Sequence, residues 1–276
     1  MTDDARDLVD LARYPIDDRD DPRRAELIAR CRAELDARNL CVVPNFITET
    51  ARRQMVDDAM ALLPEAYPNR SHRTCFLKRQ PDPSKPADHP NNIFFDAKYR
   101  MMAYDLFGPE QAMPRLYKWA PLRELIGEIV GVEPLHLNVD PYQPANVLCY
   151  GDGDRSTWHF DHGNEFTVTI MLQSSDGGGV FEIAPEIIDR DDPSMRRLTD
   201  VLLDRSDEVN QVGRSPGSLV IFRGDRSVHR VSPVEGDTLR LMAVFVYYEP
   251  KPGVVGLPEV NATIYGPRVE QAGKPA

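Results

Sequence analysis

The chain has 276 residues, enough to bury a sizeable hydrophobic core in one large domain or two small ones. Its formal net charge of -11 and the lack of any run rich in lysine and arginine argue against a nucleic-acid partner, because the field around the protein repels phosphate backbones. No stretch approaches the roughly 18 consecutive apolar residues of a membrane span, and the acidic residues 1–7 lack the apolar segment of a secretion signal, so a cytoplasmic protein acting on a small molecule is expected.

Helical patterns dominate the first part of the chain. Asp21 is a suitable N-cap and Pro22 suits the first helical position, so a helix is predicted from Pro22 to about residue 39. Thr48 is expected to cap a second helix. A further helix is predicted over residues 121–130, with Gly131 as its C-cap.

Residues 64–113 turn polar and rich in proline, so regular structure is not expected over much of this segment. Long irregular segments inside compact domains are usually functional or disordered. This one carries Arg70 and Arg73 among polar residues, and aromatic residues follow them. We interpret the segment as a substrate lid, and a solvated surface loop with salt-bridged arginines is the alternative.

Beyond residue 131 the apolar pattern shortens to strand lengths. The predicted strands cover residues 135–140, 145–150, 166–172, 180–183, 218–222, 229–231 and 240–248. Short strands with glycine-rich turns favour a double-sheet jelly roll, interrupted by a helix that begins at Asp192-Pro193. The prediction is a single, mainly β domain over residues 1–276, in which residues 1–131 form the helical support and lid and residues 132–276 form the jelly-roll catalytic core.

Three residues of the jelly-roll part are candidate metal ligands. His159 and Asp161 are two apart in an extended segment, so their side chains project to the same side. His229 is the third candidate, and two imidazoles with one carboxylate leave three positions open on a non-haem Fe(II) for a bidentate co-substrate and dioxygen. Arg240, eleven residues after His229, is expected to hold the distal carboxylate of 2-oxoglutarate bidentately.

The alternation of side chains along strands adds further candidates. If Arg240 points into the barrel, Val244 and Val246 share its face. Asn146 and Tyr150 share one face of the strand that precedes the His159-x-Asp161 pair. They are expected to hydrogen-bond the carboxylates of the co-substrate, and the alternative is that they are ordinary sheet residues.

Together these residues resemble the Fe(II)/2-oxoglutarate-dependent dioxygenase superfamily. The resemblance rests on His159-x-Asp161, His229, Arg240, the glycine pair Gly178-Gly179 and the Pro216-Gly217 turn. It implies a double-stranded β-helix fold and an enzyme that uses Fe(II), 2-oxoglutarate and dioxygen to hydroxylate an unactivated C–H bond of a small molecule.

Within that superfamily the chain is similar to small bacterial enzymes that hydroxylate or chlorinate free amino acids, the relatives of the radical lysine halogenase. The similarity implies that Arg73 handles a substrate carboxylate and that Asp140 lies near a residue that handles an amine. Halogenases of this kind replace the acidic ligand by a small residue, whereas this chain retains Asp161, so hydroxylation of a free amino acid or similar small acid is expected. Val244 and Val246 stand where lysine-specific members carry polar residues, which argues against lysine as the substrate.

Two alternatives remain open at this point. The same cofactor chemistry on a peptide or carrier-tethered substrate would need an open groove in place of a closing lid. A cupin-like binding protein that is not an oxygenase would use a similar barrel without depending on 2-oxoglutarate. The oligomeric state is not predicted.

Overall fold

The structure of the protein is a computed structural model that describes residues 4–189, 191–248 and 256–269. Residues 1–3 of the acidic amino terminus lie outside this part. The helices are α1 (Pro22–Arg38), α2 (Glu49–Ala61), α3 (Ala112–Lys118), α4 (Ala120–Val130), α5 (Arg196–Leu202) and α6 (Pro258–Tyr265). The strands are β1 (Leu40–Val43), β2 (Tyr67–Arg73), β3 (Phe95–Met102), β4 (His136–Leu137), β5 (Ala145–Tyr150), β6 (Thr167–Gln173), β7 (Gly177–Gly178), β8 (Phe181–Pro185), β9 (Asn210–Val212), β10 (Leu219–Phe222), β11 (Ser227–Val231), β12 (Val234–Glu235), β13 (Arg240–Phe245) and β14 (Tyr247–Tyr248).

Two antiparallel sheets form the centre of the molecule. The larger has seven strands in the order β1-β10-β6-β13-β5-β3-β2, and the smaller has three in the order β11-β8-β9. Strands far apart in sequence are neighbours, as when β13 pairs with both β5 and β6. The mainly β fold with helical support that the sequence predicts is confirmed. None of the described helices is long and apolar enough to span a membrane.

The two faces of the large sheet contact different parts of the molecule. On β5, Ala145, Val147 and Cys149 join the hydrophobic core that the sheet shares with the helices. The alternate residues Asn146 and Leu148 face the space between the two sheets, where they line a cavity. The period-two alternation of strands thus places one face on the helical support and the other on the candidate site.

The helical predictions are confirmed at their capping residues. The Asp21 side chain accepts a hydrogen bond from the backbone N–H of Arg23 at 2.9 Å, and Thr48 Oγ1 accepts one from Ala51 N at 3.2 Å. Gly131 ends α4 with a positive φ of 79°. These caps satisfy backbone groups that would otherwise lack partners at the helix ends.

The prediction that much of residues 64–113 lacks regular structure holds for residues 74–89 but misses two strands. Strands β2 and β3 form a hairpin at the edge of the large sheet, and β3 pairs with β5. The pattern on β2 escaped detection because its half-buried positions alternate with exposed ones but mostly carry polar residues, such as Asn69 and Arg73. An edge strand needs no continuous apolar face, and Pro68 is tolerated there because only one neighbour pairs with it.

A second hydrophobic cluster covers the outer face of the small sheet. Helix α5 contributes Leu198 and Val201 to it, and the fully buried Trp158 lies within it. The helix starts at Arg196, three residues after the predicted Pro193, and the role of its apolar stripe is to cover Trp158 and its neighbours. Cys75 and Phe76, just after β2, pack into the same cluster, so the chain beyond Arg73 is anchored behind the His159-x-Asp161 segment.

Candidate metal centre and active site

The three candidate ligands converge at one end of the space between the sheets. His159 and His229 exchange backbone hydrogen bonds of 3.0 Å in both directions, which places their rings side by side with centroids 4.2 Å apart. Asp161 Oδ1 lies 3.6 Å from His159 Nε2 and 3.5 Å from His229 Nε2. One ligand atom from each residue lies within 4.8 Å of the other two, so a single ion fits among them.

Both imidazoles have the orientation and tautomer that a metal ligand needs. His159 Nδ1 lies 2.8 Å from the carbonyl oxygen of Thr157, and His229 Nδ1 lies 2.9 Å from that of Ser227. A carbonyl oxygen only accepts hydrogen bonds, so each Nδ1 carries the proton and each Nε2 presents its lone pair. Such backbone contacts behind the ring fix the orientation of metal-binding histidines.

Asp161 is held from two sides. Thr167 Oγ1 donates a hydrogen bond to Asp161 Oδ2, and the backbone N–H of Asp161 donates to Gly224 O at 2.9 Å. A Cβ at position 224 would lie 2.1 Å from Asp161 Oδ2, so only glycine leaves room for the carboxylate there. The carboxylate therefore has little freedom to turn away from the two histidines.

The protonation states agree with a cation site. Burial, followed by the charge of His229, lowers the pKa of His159 to about 3, so the ring is neutral near pH 7. Burial raises the pKa of Asp161, but the contacts with His229, His159 and Thr167 outweigh it and hold that pKa below its usual range. A neutral imidazole and an ionised carboxylate are the forms that bind a metal.

A cavity of about 210 Å³ extends from these residues between the two sheets. Its walls come from strands of both sheets, as the predicted alternation requires. Besides the three candidate ligands, the lining residues are Arg73, Tyr99, Met101, Asn146, Leu148, Tyr150, Ser156, Thr167, Thr169, Phe181, Arg214, Phe222, Val231, Met242 and Val244. The cavity is thus largely apolar, with two arginines among its walls.

Most of the predicted site residues meet at this cavity. Asn146, Tyr150, Val244 and Arg73 all line it. Asn146 Oδ1 is buried and has no hydrogen-bond partner within the described part of the chain, so it remains an available acceptor. Their individual roles toward co-substrate and substrate stay predictions.

Three predicted residues, Val246, Asp140 and Arg240, do not line the cavity. Val246 follows the end of β13 at Phe245, and its backbone N–H donates to Pro144 O at 2.9 Å, so the strand alternation stops before it reaches this position. Asp140 is buried, and its Oδ1 accepts from the backbone N–H of Tyr142 and Gln143.

The remaining oxygen of Asp140 is also occupied. Its Oδ2 accepts hydrogen bonds of 2.8 Å from Gly256 N and from Asn261 Nδ2. The carboxylate thus ties a loop to the segment that leads into α6. The structure gives Asp140 a supporting position away from the cavity, where it does not meet an amine bound there.

Arg240 lies behind the cavity wall and not on it. The residue is 1% exposed, its Nε donates to Gly179 O at 2.9 Å, and its Cζ lies 5.3 Å from the centroid of the Tyr150 ring. Gly179 has a positive φ of 61°, and a Cβ there would lie 2.9 Å from Arg240 Cδ. The Gly178-Gly179 turn is therefore the surface on which this arginine rests.

Sequence reasoning missed Arg214, which lines the cavity on the segment between β9 and β10. Its Cζ lies 3.6 Å from the centroid of the Phe181 ring, and its Nη1 is 3.3 Å from Thr169 Oγ1. The flanking residues, 213 and 215–217, are glycine, serine and proline, a composition typical of a solvated turn. No periodic signal marks a charged residue in such a turn as inward-facing.

Three solved structures share this fold at low sequence identity. A prolyl hydroxylase from Trichoplax adhaerens, in complex with a hypoxia inducible factor oxygen degradation domain peptide fragment, aligns with a TM-score of 0.54 at 14% identity over 83% of this chain and 91% of that chain. The non-heme alpha ketoglutarate dependent epimerase SnoN from nogalamycin biosynthesis aligns with a TM-score of 0.56 at 15% identity over 83% and 82%. A Pseudomonas putida prolyl-4-hydroxylase aligns with a TM-score of 0.50 at 14% identity over 81% and 100%. A comparison with curated proteins finds no match.

The fold is thus the double-stranded β-helix of the 2-oxoglutarate and Fe(II) oxygenases, and the protein is an enzyme of that type. The family model described as "Halogenase D" matches residues 103–252, more than half of the 276 residues, and the chain belongs to that family. Its cofactor is non-haem iron, with 2-oxoglutarate and dioxygen as co-substrates. A cupin-like binding protein without enzymatic activity is excluded by this membership.

Proposed function

We propose that the enzyme hydroxylates an unactivated C–H bond of a small carboxylic acid, such as a free amino acid, and that His159, Asp161 and His229 are its iron ligands. The observation that carries this proposal is the convergence of the three side chains with both Nε2 atoms directed at Asp161 Oδ1, 3.6 and 3.5 Å away. Two ligand atoms about 2.1 Å from one ion are about 3 Å apart at a right angle, so small adjustments complete the site.

The donor set also fits the chemistry. Two imidazoles and one carboxylate on one face of Fe(II) are the ligands of oxygenases that leave three positions free. Iron with 2-oxoglutarate and dioxygen supplies an oxidant strong enough for unactivated C–H bonds. The protein's own residues hold the reactants, orient them and exclude water from the cavity.

The cavity supports a small acid as substrate. Arg73 lies at its wall, and its charge contributes to the lowered pKa of His159, so the guanidinium lies near the metal end. Its Nε is buried without a hydrogen-bond partner among the described residues. A carboxylate bound there would supply the missing acceptor and place the rest of the substrate beside His159.

The other walls support an apolar substrate chain. Met101, Leu148 and Val244 line the cavity, and Asp161 is the one carboxylate among its lining residues. If Asp161 binds iron, no second acidic group of that lining is free to pair with a lysine side-chain amine. An acid with an aliphatic chain suits this surface better than lysine.

A retained carboxylate ligand supports hydroxylation, although the family carries the name of a halogenase. Asp161 occupies the ligand position that a halide would need, and Gly224 and Thr167 hold it in place. Its negative charge also disfavours a second anion on the same ion. The proposal is therefore oxygen insertion by a halogenase-family member.

A succinate-release screen tests the proposal. The purified protein with Fe(II), 2-oxoglutarate and dioxygen is incubated with free amino acids and related aliphatic acids, and succinate and product masses are measured. We expect substrate-dependent succinate with a product one oxygen heavier, and none from His229→Ala. Succinate release that depends only on peptide or carrier-bound substrates would replace this proposal by the tethered-substrate alternative.

A further inference from the structure

Arg214 reaches into the space between the sheets and has no acidic partner among the residues that the structure describes. Its guanidinium lies over the Phe181 ring at 3.6 Å and near the Phe222 ring at 5.8 Å. Nη1 contacts Thr169 Oγ1 and Met242 Sδ, at 3.3 and 3.2 Å, which are weak neutral acceptors. Its Nε and Nη2 are buried and have no hydrogen-bond partner within the described residues.

The guanidinium of Arg240 is also incompletely hydrogen-bonded. Its Nε is bonded to Gly179 O, but its Nη1 is buried without a partner among the described residues. No ion pair joins either Arg214 or Arg240 to a carboxylate in residues 4–189, 191–248 and 256–269. By contrast, the guanidinium of Arg230, stacked on Trp158, pairs with both Glu182 and Asp204.

The two unpaired guanidinium groups face the same point. Arg214 Nη1 lies 3.2 Å from Met242 Sδ, and Arg240 Nη2 lies 3.8 Å from the same sulfur. They are near enough that, after burial, the charge of Arg240 is the next cause that lowers the pKa of Arg214. Two like charges with free donors at one desolvated point are stable only with an anion between or beside them.

The Phe181 ring lies close both to the place where the two arginines meet and to the metal end of the cavity. Phe181 contacts Arg214 on one side, and its centroid lies 5.7 Å from that of the His229 ring. A ligand that reaches from the metal past Phe181 therefore meets the two arginines. The part of the ligand that meets the arginines must be anionic. Their two positive charges repel each other, and an arginine side chain in a protein does not lose its proton.

We propose that Arg214 and Arg240 form one two-arginine subsite for the distal carboxylate of 2-oxoglutarate, with Arg214 as a binding residue in its own right. This inference rests on the proposed function, because it assumes that 2-oxoglutarate occupies the metal end. Arg214 presents Nε and Nη2, and Arg240 presents Nη1, so together they satisfy more carboxylate lone pairs than either does alone. The subsite also explains why Arg214 is directed inward from a polar turn.

The test replaces Arg214 by Met, which retains an unbranched side chain of similar length and removes the charge. Binding of 2-oxoglutarate is measured by calorimetry on protein loaded with Mn(II), so that no turnover is needed. We expect affinity to fall about 30-fold or more, as for removal of one partner of a desolvated charge pair. Arg52→Met is the matched control, because Arg52 is also half-buried but pairs with Glu49 on α2, away from the cavity.

A second readout separates ligand binding from a structural role. Since Arg214 has no acidic partner in the described structure, Arg214→Met should leave the melting temperature of the ligand-free protein unchanged or higher. A lower melting temperature accompanied by weaker binding would make Arg214 a structural residue and overturn the proposal. Arg214→Lys, which restores a charge without the planar fork, should recover part of the affinity.

The double variant gives the sharpest outcome. If the arginines share one carboxylate, the losses in Arg214→Met and Arg240→Met should not be additive in the combined variant. Wild-type affinity in Arg214→Met, with tight binding by the wild type, overturns the two-arginine subsite and leaves the proposed function intact. Failure of the wild type itself to bind 2-oxoglutarate would instead overturn the proposed function.

Discussion

The metal end of the cavity, at His159, Asp161 and His229, differs from the arginine end, beside Arg214 and Arg240, in whether the key polar groups have hydrogen-bond partners within the protein. At the metal end, both histidine Nδ1 atoms meet backbone carbonyls and Asp161 accepts from Thr167. At the arginine end, Arg214 and Arg240 both have buried N–H groups without partners among the described residues. The histidine Nδ1 atoms and Asp161 are thus held by the protein itself, whereas on our proposal the arginine donors find their acceptor in a bound anion.

This difference has an energetic consequence. An unsatisfied buried donor costs about 1–3 kcal/mol, and more when it is charged. On the proposed two-arginine subsite, the ligand-free fold carries that cost at the arginine end and binding of 2-oxoglutarate removes it. Co-substrate should therefore stabilise the protein by linkage, with little rearrangement at the metal end.

The largest expected effect comes from breaking the metal end. His159→Ala or His229→Ala should abolish iron binding and turnover, because two remaining ligands hold a labile divalent metal too weakly. Iron content after desalting and succinate release measure this. His72→Ala is the control, since His72 pairs with Asp96 at 2.9 Å but lies exposed on β2. Full iron content in either ligand variant would contradict the assignment of the triad.

The next effect comes from the arginine end. Arg240→Ala should keep iron but raise the apparent Michaelis constant for 2-oxoglutarate, because losing a desolvated charge-assisted pair costs about 2–5 kcal/mol. Steady-state kinetics at fixed iron concentration measures the change. Arg115→Ala removes an arginine whose ion pair with Asp7 lies away from the cavity, and it should behave as wild type. A constant that hardly moves would mean that another residue anchors the co-substrate.

A smaller and more selective effect is expected at Arg73. Arg73→Ala should weaken binding of the acid substrate by about 1.5–3 kcal/mol and leave binding of 2-oxoglutarate nearly unchanged. Anaerobic calorimetry with each ligand measures the two affinities. Arg70→Ala is the matched control, because Arg70 is on the same strand but exposed. Equal substrate affinity in wild type and Arg73→Ala would leave Arg73 as a residue of β2 without a role in substrate binding.

The same comparison explains how much the sequence could predict. The metal end depends on residues two apart in an extended segment and on regular strands, so parity alone brought His159 and Asp161 to one side. The alternation on β5 and β13 likewise placed Asn146 and Val244 at the cavity. Where a regular element continues, its period determines which way a side chain points.

The remaining errors occur where the regular pattern stops. Arg214 lies in a glycine- and proline-containing turn, where direction depends on local backbone angles that no period encodes. Val246 follows the end of β13, and Asp140 bonds to backbone groups two and three residues ahead of it, as an aspartate in a turn does. Strand β2 was missed because polar residues carry its alternation.

The last prediction is that high chloride leaves the product unchanged. On the proposed assignment Asp161 fills the iron position that a halide would take, and the clash of any Cβ at position 224 with Asp161 shows how closely the backbone packs behind that carboxylate. Mass spectrometry of the product formed in high chloride should show one added oxygen, or the loss of two hydrogens, and no chlorine isotope pattern. Asp161→Gly removes the carboxylate and frees Thr167 Oγ1 as a donor, yet we expect mostly lost activity and at best traces of chlorinated product, since halogenation also needs surrounding groups that favour chlorine transfer. Abundant chlorinated product from the wild-type enzyme would mean that Asp161 does not bind iron, despite its 3.5 Å approach to His229 Nε2.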